Sequence, residues 1–144
     1  MRIRPARLIE SDRCAEIHIE TRALMGYLPN KHTVADTIDW MRRTVFGNQQ
    51  VLVAEVEGSV VGYASFEGNQ LSNLYVLPAY QRRGIGSELL AEALREMPPG
   101  VELWVFKDNY DAIRFYQRHG FSTVRETSGD NEEGLPDWLM RHAG

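Results

Sequence analysis

The stretch YVLPAYQRRGIGSELL, Tyr75 to Leu90, passes from a strand-like apolar segment through a proline into two arginines and two glycines, then into a helical pattern. Four-residue spacing carries that pattern through Ile85, Leu89, Ala93 and Met97, with Leu90 and Leu94 beside them, which predicts an amphipathic helix. A helix N-terminus presents unpaired N–H groups and about half a positive charge, so anions bind there readily. Gly84 and Gly86 let the backbone come close to a bulky phosphate, and Arg82 and Arg83 add charge for its oxygens. A glycine-eased helix start with solvated arginines is the competing reading of the same residues. The dinucleotide fingerprint needs a small residue where Leu89 stands, and a P-loop needs a Gly-Lys-Ser/Thr sequence that this segment lacks.

Upstream, Arg2 to Leu8 reads as an opening strand in which Pro5 is tolerated best at a sheet edge. Ser11 or Asp12 caps a first helix that GYLPN, from Gly26, stops; Thr33 and Asp36 resemble a capping box for a second, ending near Gly47. The period then shortens: VLVAEVEGSVVGYASFEG is two β-branched runs around Glu57-Gly58, a hairpin signal, and LSNLYVL from Leu71 is a third strand. After the helix of the opening stretch, PPG breaks the pattern, VELWVF returns to strand character, and Asn109 to about His119 forms a short helix stopped by Gly120. Phe121–Thr127 and Asp137–His142 are two final strands. The predicted class is α/β: a mixed, mostly antiparallel sheet of about seven strands flanked by about four helices, in the order β-α-α-β-β-β-α-β-α-β-β.

The whole chain sets bounds on this reading. At 144 residues, with no composition shift, it is expected to be one domain, residues 1–144. A net charge of −4 argues against nonspecific nucleic-acid binding, so the basic turn has a local purpose. The single Cys14 lacks a disulfide or zinc-cluster partner and reads as a core filler; His18 and His32 have no ligand-spaced companions, so no metal is assigned. MRIRPARLIESD carries charge where a signal peptide needs an apolar run, and no segment approaches the roughly 20 apolar residues of a transmembrane helix. A cytoplasmic protein that engages neither membrane nor nucleic acid is the expectation.

QRRGIG, Gln81 to Gly86, resembles the Q/R-x-x-G-x-G/A motif of the GNAT superfamily of N-acetyltransferases, and LYVLPAY before it and SELL after it are similar to that family too. Downstream, NYDAIRFYQRHGF, Asn109 to Phe121, resembles the family's N-x-x-A-x-x-F-Y-x-x-x-G-F segment, and the predicted element order agrees over nearly the whole chain. The resemblance implies a fold in which the fourth and fifth strands splay apart to admit the pantetheine arm of acetyl-CoA. It implies a diphosphate held by Gln81, Arg82, Arg83, Gly84, Ile85, Gly86 and Ser87, with main-chain groups of Val76 and Leu77 pairing with the pantetheine amides. The amide of Val76 is also implied as an oxyanion donor.

A lysine-type amine is neutral in only about one molecule in 2,500 at pH 7, equivalent to about 4.6 kcal/mol, so a proton must leave before attack on the thioester. A carboxylate, or a water held by one, is the expected acceptor of that proton. Glu67, Asp137 and the Glu132-Glu133 pair are candidates, each more readily read as solvated surface charge; Ser72 and Asn73 stand where some relatives place an acid. A thiolate leaving group suits a phenol as proton donor, and Tyr116, matching the family's Phe-Tyr pair, is the implied general acid, with an aromatic anchor as its other role. Asn109 reads as a helix N-cap, a contact to the CoA arm, or both, and His119 as a helix C-terminal residue.

By the same resemblance, MGYLPNKHTV from Met25 and SGDNEEGLPDW from Ser128 wall the acceptor site. The acids Asp130, Glu132, Glu133 and Asp137 would attract a cationic amine there, or simply solvate a hairpin loop. Tyr27, Trp40 and Trp138 are candidates for an apolar lining or for the core. The expected activity is direct acetyl transfer to an amine of a small molecule or protein, against an acyl-CoA-binding module without turnover; monomer and homodimer both agree with the sequence.

Overall fold

The computed structural model describes residues 1–29 and 32–144, so Asn30 and Lys31, which belong to the expected helix stop and acceptor wall, lie outside the described residues. Seven strands form one open sheet in the order β1-β2-β3-β4-β5-β7-β6. They are β1 Arg2–Pro5, β2 Gln50–Val56, β3 Ser59–Glu67, β4 Gln70–Val76, β5 Glu102–Phe106, β6 Phe121–Glu126 and β7 Asp137–His142. The helices are α1 Ser11–Ala23; α2 Val34–Trp40, continued by a π turn Met41–Val45 and a last turn Phe46–Asn48; α3 Ile85–Glu96; and α4 Tyr110–Arg118. The expected order and class hold.

Local signals explain most boundaries. Thr33 accepts the Asp36 N–H at 3.0 Å while the Asp36 carboxylate accepts the Thr33 N–H, a reciprocal cap for α2. Glu57 and Gly58 both take positive φ, 50° and 81°, the conformation that matches a tight hairpin turn to the twist of β2 and β3. The opening strand is shorter than expected. It ends at Pro5, on the sheet edge, because Leu8–Glu10 turn into a 3-10 helix whose Glu10 carboxylate accepts the Arg7 N–H at 2.8 Å. Arg4 then grips Glu10 with two bonds of 2.9 and 2.8 Å and Glu55 at 2.9 Å, tying β1 and the entry of α1 to β2.

Strand alternation puts the helices on opposite faces of β3. A β-carbon on Gly62 would stand 3.2 Å from Leu89 of α3, whereas the next residue, Tyr63, points the other way and its hydroxyl meets His18 Nδ1 of α1 at 2.8 Å. Between these layers Cys14, Ile17, Val53, Ala64, Leu89 and Met140 are buried, and Cys14 fills the core as expected.

One irregularity in the sheet matters for function. β4 and β5 run parallel and share a single registered pair, Gln70 with Glu102. The Glu102 N–H donates to Asn69 O at 2.8 Å, and the Gln70 side-chain amide donates to Glu102 at 3.1 Å. Beyond that point the strands diverge, and Leu71–Val76 and Leu103–Phe106 become facing walls of a cleft.

Candidate active site

The cleft has a volume of about 960 Å³. Its floor is the gap between β4 and β5; the N-terminus of α3 closes one end and the last turn of α1 the other, with α4 along the side. Of the residues singled out in the sequence, Val76, Gln81, Arg82, Gly84, Gly86, Ser87, Asn109 and Tyr116 line it.

The turn before α3 is built from unusual backbone. Arg82 and Gly84 both adopt left-handed conformations, φ 64° and 80°, and Gly84 is the residue immediately before the helix, its carbonyl taking the Glu88 N–H at 3.1 Å. The Gln81 side chain donates to Val76 O at 2.9 Å, pinning the turn to the end of β4. Ser87 Oγ pairs with His119 Nε2 at 3.0 Å, which joins the first turn of α3 to the end of α4. Arg83 lies over the Tyr80 ring at 5.2 Å, outside the cleft lining, and Ile85 is buried in the core. A β-carbon on Gly86 would meet only ordinary contacts, Phe115 at 3.7 Å and Val76 at 3.9 Å.

The ladder decides which backbone groups face the gap. The Leu77 N–H donates to Val61 O at 2.8 Å and its carbonyl accepts from Tyr80 N at 2.8 Å, so both Leu77 groups serve the fold. Since antiparallel residues alternate between facing the partner strand and facing away, the Val76 N–H turns from β3 toward the opened side. Asn109 caps α4, its side-chain oxygen accepting the Ala112 N–H at 3.3 Å.

Tyr116 is buried beside Phe121, ring centroids 5.5 Å apart, and lines the cleft. Burial, with Tyr75 adding to it, holds its phenol well above the ordinary tyrosine value, so the hydroxyl keeps its proton. At the far end, Arg22 of α1 lines the cleft beside Thr21, donating to Tyr75 OH at 3.3 Å and pairing with Glu133 at 3.3 Å.

The carboxylate candidates are not gathered at the cleft. Glu67 is exposed at the end of β3; Asp137 is buried and accepts from Thr127 Oγ1; Glu132 pairs with His32 and Glu133 with Arg22. Ser72 and Asn73 do line it, Asn73 donating to the buried Ser65 Oγ at 2.8 Å. Trp40 packs 4.9 Å from the His18 ring and Trp138 against the core, while Tyr27 lines a smaller adjoining lobe of about 330 Å³. Sequence reading missed Arg22, Arg114 and Arg118, all in the lining. The two arginines of α4 stand four residues apart on the helix that Asn109 caps, a one-face spacing that could have flagged them. Among the described residues no group of three or more metal-ligating side chains occurs, and no helix is long and apolar enough to cross a membrane.

The family model described as an acetyltransferase (GNAT) domain matches residues 47–123, which takes in β2 to β5, the turn, α3 and α4. The chain is 36% identical over 106 residues to the peptidyl-lysine N-acetyltransferase YiaC of Escherichia coli, covering 73% of this chain and 71% of that protein. The GCN5-related N-acetyltransferase from Rhodopseudomonas palustris shares the fold with a TM-score of 0.82 at 21% identity, over 98% of this chain and 94% of the other. The PaiA N-acetyltransferase of Thermoplasma acidophilum, solved in complex with coenzyme A, gives 0.75 at 20%, over 98% and 97%. The chain belongs to the GNAT acetyltransferase family, and it is an acetyl-CoA-dependent N-acetyltransferase.

Proposed function

We propose that acetyl-CoA lies with its diphosphate on the backbone of the Gln81–Ser87 turn and its pantetheine arm in the gap beside β4, and that the amine enters from the α1 side. The observation that carries this reading is the divergence of β4 from β5 after their single pair, which leads from the start of α3 to Tyr116. Left-handed Arg82 and Gly84 turn the chain into α3, whose first N–H groups are available to an anion.

The neutral amine attacks the thioester carbonyl carbon; the C–N bond forms and the carbonyl electrons move to oxygen, where the Val76 N–H meets the developing charge. Collapse breaks the C–S bond, and Tyr116 gives its proton to the departing sulfur. A phenol raised this far is a poor acid in water. Burial of the thiolate beside Tyr116 would raise that group by the same cause, which keeps donor and leaving group matched. The proton whose loss makes the amine neutral leaves through water to solvent, and the one the nitrogen loses after attack returns through water to Tyr116, because the carboxylates weighed for this task are engaged in ion pairs or hydrogen bonds or lie outside the lining.

In this proposal residues 1–144 act as one catalytic domain in the cytoplasm, with acetyl-CoA and an amine of a small molecule or protein as partners, as monomer or homodimer. The net charge of −4 supports the absence of nucleic acid from that set. An amine panel followed by thiol release tests the reading, with acetyl-CoA titrated by calorimetry beside it. Amine-dependent release of CoA is expected. Binding with no release from any amine would instead favour a sensor, and failure to bind acetyl-CoA would overturn the site.

A further inference from the structure

Arg22 is the next-to-last residue of α1, its side chain only 27% exposed, and it faces the acceptor end of the cleft. A guanidinium this far from water needs well-formed partners. Arg4 shows what that looks like in this chain: two short bonds, 2.9 and 2.8 Å, fork to fork with Glu10. Arg22 has single contacts of 3.3 Å to Tyr75 OH and 3.3 Å to Glu133, both beyond the usual N–H···O range. Next to it Thr21, 7% exposed, also lines the cleft, and its buried Oγ1 has no hydrogen-bond partner among the described residues. A loosely held fork of donors therefore stands in the cleft wall, next to a hydroxyl sealed behind it without a partner among the described residues.

We infer that Arg22 selects the acceptor by binding a carboxylate that the acceptor carries close to its amine, and that Glu133 holds this place until the acceptor arrives. The inference rests on the acetyl-transfer reading above. The chemistry is that of an exchange of like for like. Glu133 reaches Arg22 from the segment between β6 and β7 with one oxygen, whereas a small free carboxylate can approach the fork with two. Glu133 yields the fork to the acceptor's own carboxylate, so the arrangement recognises an amino acid or a close analogue by its acid group. A purely cationic amine gains less, because it would meet the Arg22 charge unneutralised as soon as it drew Glu133 away.

The test compares free L-amino acids with their carboxamides, which differ in the carboxylate, under saturating acetyl-CoA. At neutral pH the carboxamide holds the larger fraction of free amine, so chemistry alone favours it. The wild-type protein is expected to prefer the acids by about tenfold or more in kcat/KM, a factor that one well-made ionic contact readily supplies. Arg22→Gln should abolish the preference while leaving acetyl-CoA affinity unchanged, and Arg22→Lys should keep part of it. Glu133→Gln removes the internal competitor and should lower KM for the acids, whereas a merely structural ion pair would raise it. Acids and carboxamides titrated into the CoA-loaded protein give the same comparison without turnover. Equal use or equal binding of the two series, no binding of either, a preference that survives Arg22→Gln, or a raised KM in Glu133→Gln each overturns the inference. Failure of the underlying reading would show separately, as a wild-type protein that does not bind acetyl-CoA.

Discussion

The ring of Phe115 lies 3.7 Å from the point that a β-carbon on Gly86 would occupy, an ordinary contact distance, so the protein by itself has room for a side chain there. Gly84 differs, because its φ of 80° penalises any β-carbon whatever the space around it. The two glycines of one turn thus answer to different demands, one set by the backbone and one by what the cleft admits.

Gly86→Ala is accordingly expected to fold and to gain up to about 1 kcal/mol of stability from helix propensity. Gly86→Val should also fold but, with the diphosphate lying on this turn as proposed, should weaken acetyl-CoA binding by about tenfold or more. Gly84→Ala should lose about 1–2 kcal/mol through backbone strain. Chemical denaturation and calorimetry separate the cases; undiminished affinity in a folded Gly86→Val protein would remove the phosphate from this turn.

Tyr116→Phe isolates the hydroxyl. The ring contact with Phe121 remains, and no partner among the described residues holds the hydroxyl, so stability should change little. Turnover should fall by about 10²–10⁴-fold, the range for losing a positioned proton donor, with acetyl-CoA affinity preserved. Equal kcat in the variant would leave Tyr116 as an aromatic anchor only.

Much of this arrangement is legible in the sequence because it is written locally. Caps at Thr33 and Asn109, the Glu57-Gly58 turn and the switch from period two to period four each mark an element within a few residues. The divergence of β4 and β5 has no such mark: a strand that loses its neighbour keeps the same residues, and only the family resemblance supplied the gap. Arg22 was invisible for another reason, since its ionic partner Glu133 is 111 residues away. The acids of the last loop read in sequence as a solvated hairpin or as a cation-attracting wall. Folding instead gives them partners, Glu133 with Arg22 and Asp137 with Thr127 away from solvent and Glu132 with His32 at the surface, which depends on contacts that composition does not record.

Stability should fall on mild acidification because of His18. Burial, aided by the Arg22 charge, holds its pKa down to about 3, and its Nδ1 meets the Tyr63 hydroxyl at 2.8 Å. The native ring is neutral, whereas the unfolded one takes a proton below about 6.5. The unfolded state therefore binds more protons between those values, and native stability drops as pH falls through that window, by at most about 1.4 kcal/mol per pH unit. Glu10, lowered to about 2 chiefly by its bonds to Arg4, adds its own loss below the ordinary carboxylate range. Melting temperatures from pH 7.5 to 4.5 check this: His18→Gln should flatten the upper part of the profile, and an unchanged slope would exclude His18 as its source.

Gly62 couples the fold to the cleft. A β-carbon there would stand 3.0 Å from Tyr75 O, 3.2 Å from Leu89 Cδ1 and 3.2 Å from Val76 Cγ2, so a backbone atom and two packed side chains would all have to give. Leu89 belongs to the core, and Tyr75 and Val76 form the wall that turns away from β5. Gly62→Ala should therefore cost about 1–3 kcal/mol, as overpacking does, and the yielding element should be β4, which has no strand beside it on the cleft side beyond Gln70. Any such shift moves the Val76 N–H, so acetyl-CoA affinity and kcat should fall together, although residue 62 is absent from the cleft lining. Denaturation, calorimetry and steady-state kinetics on one variant decide it: a loss of stability with kinetics and affinity intact would show that the core absorbs the methyl group and that β4 is held from elsewhere.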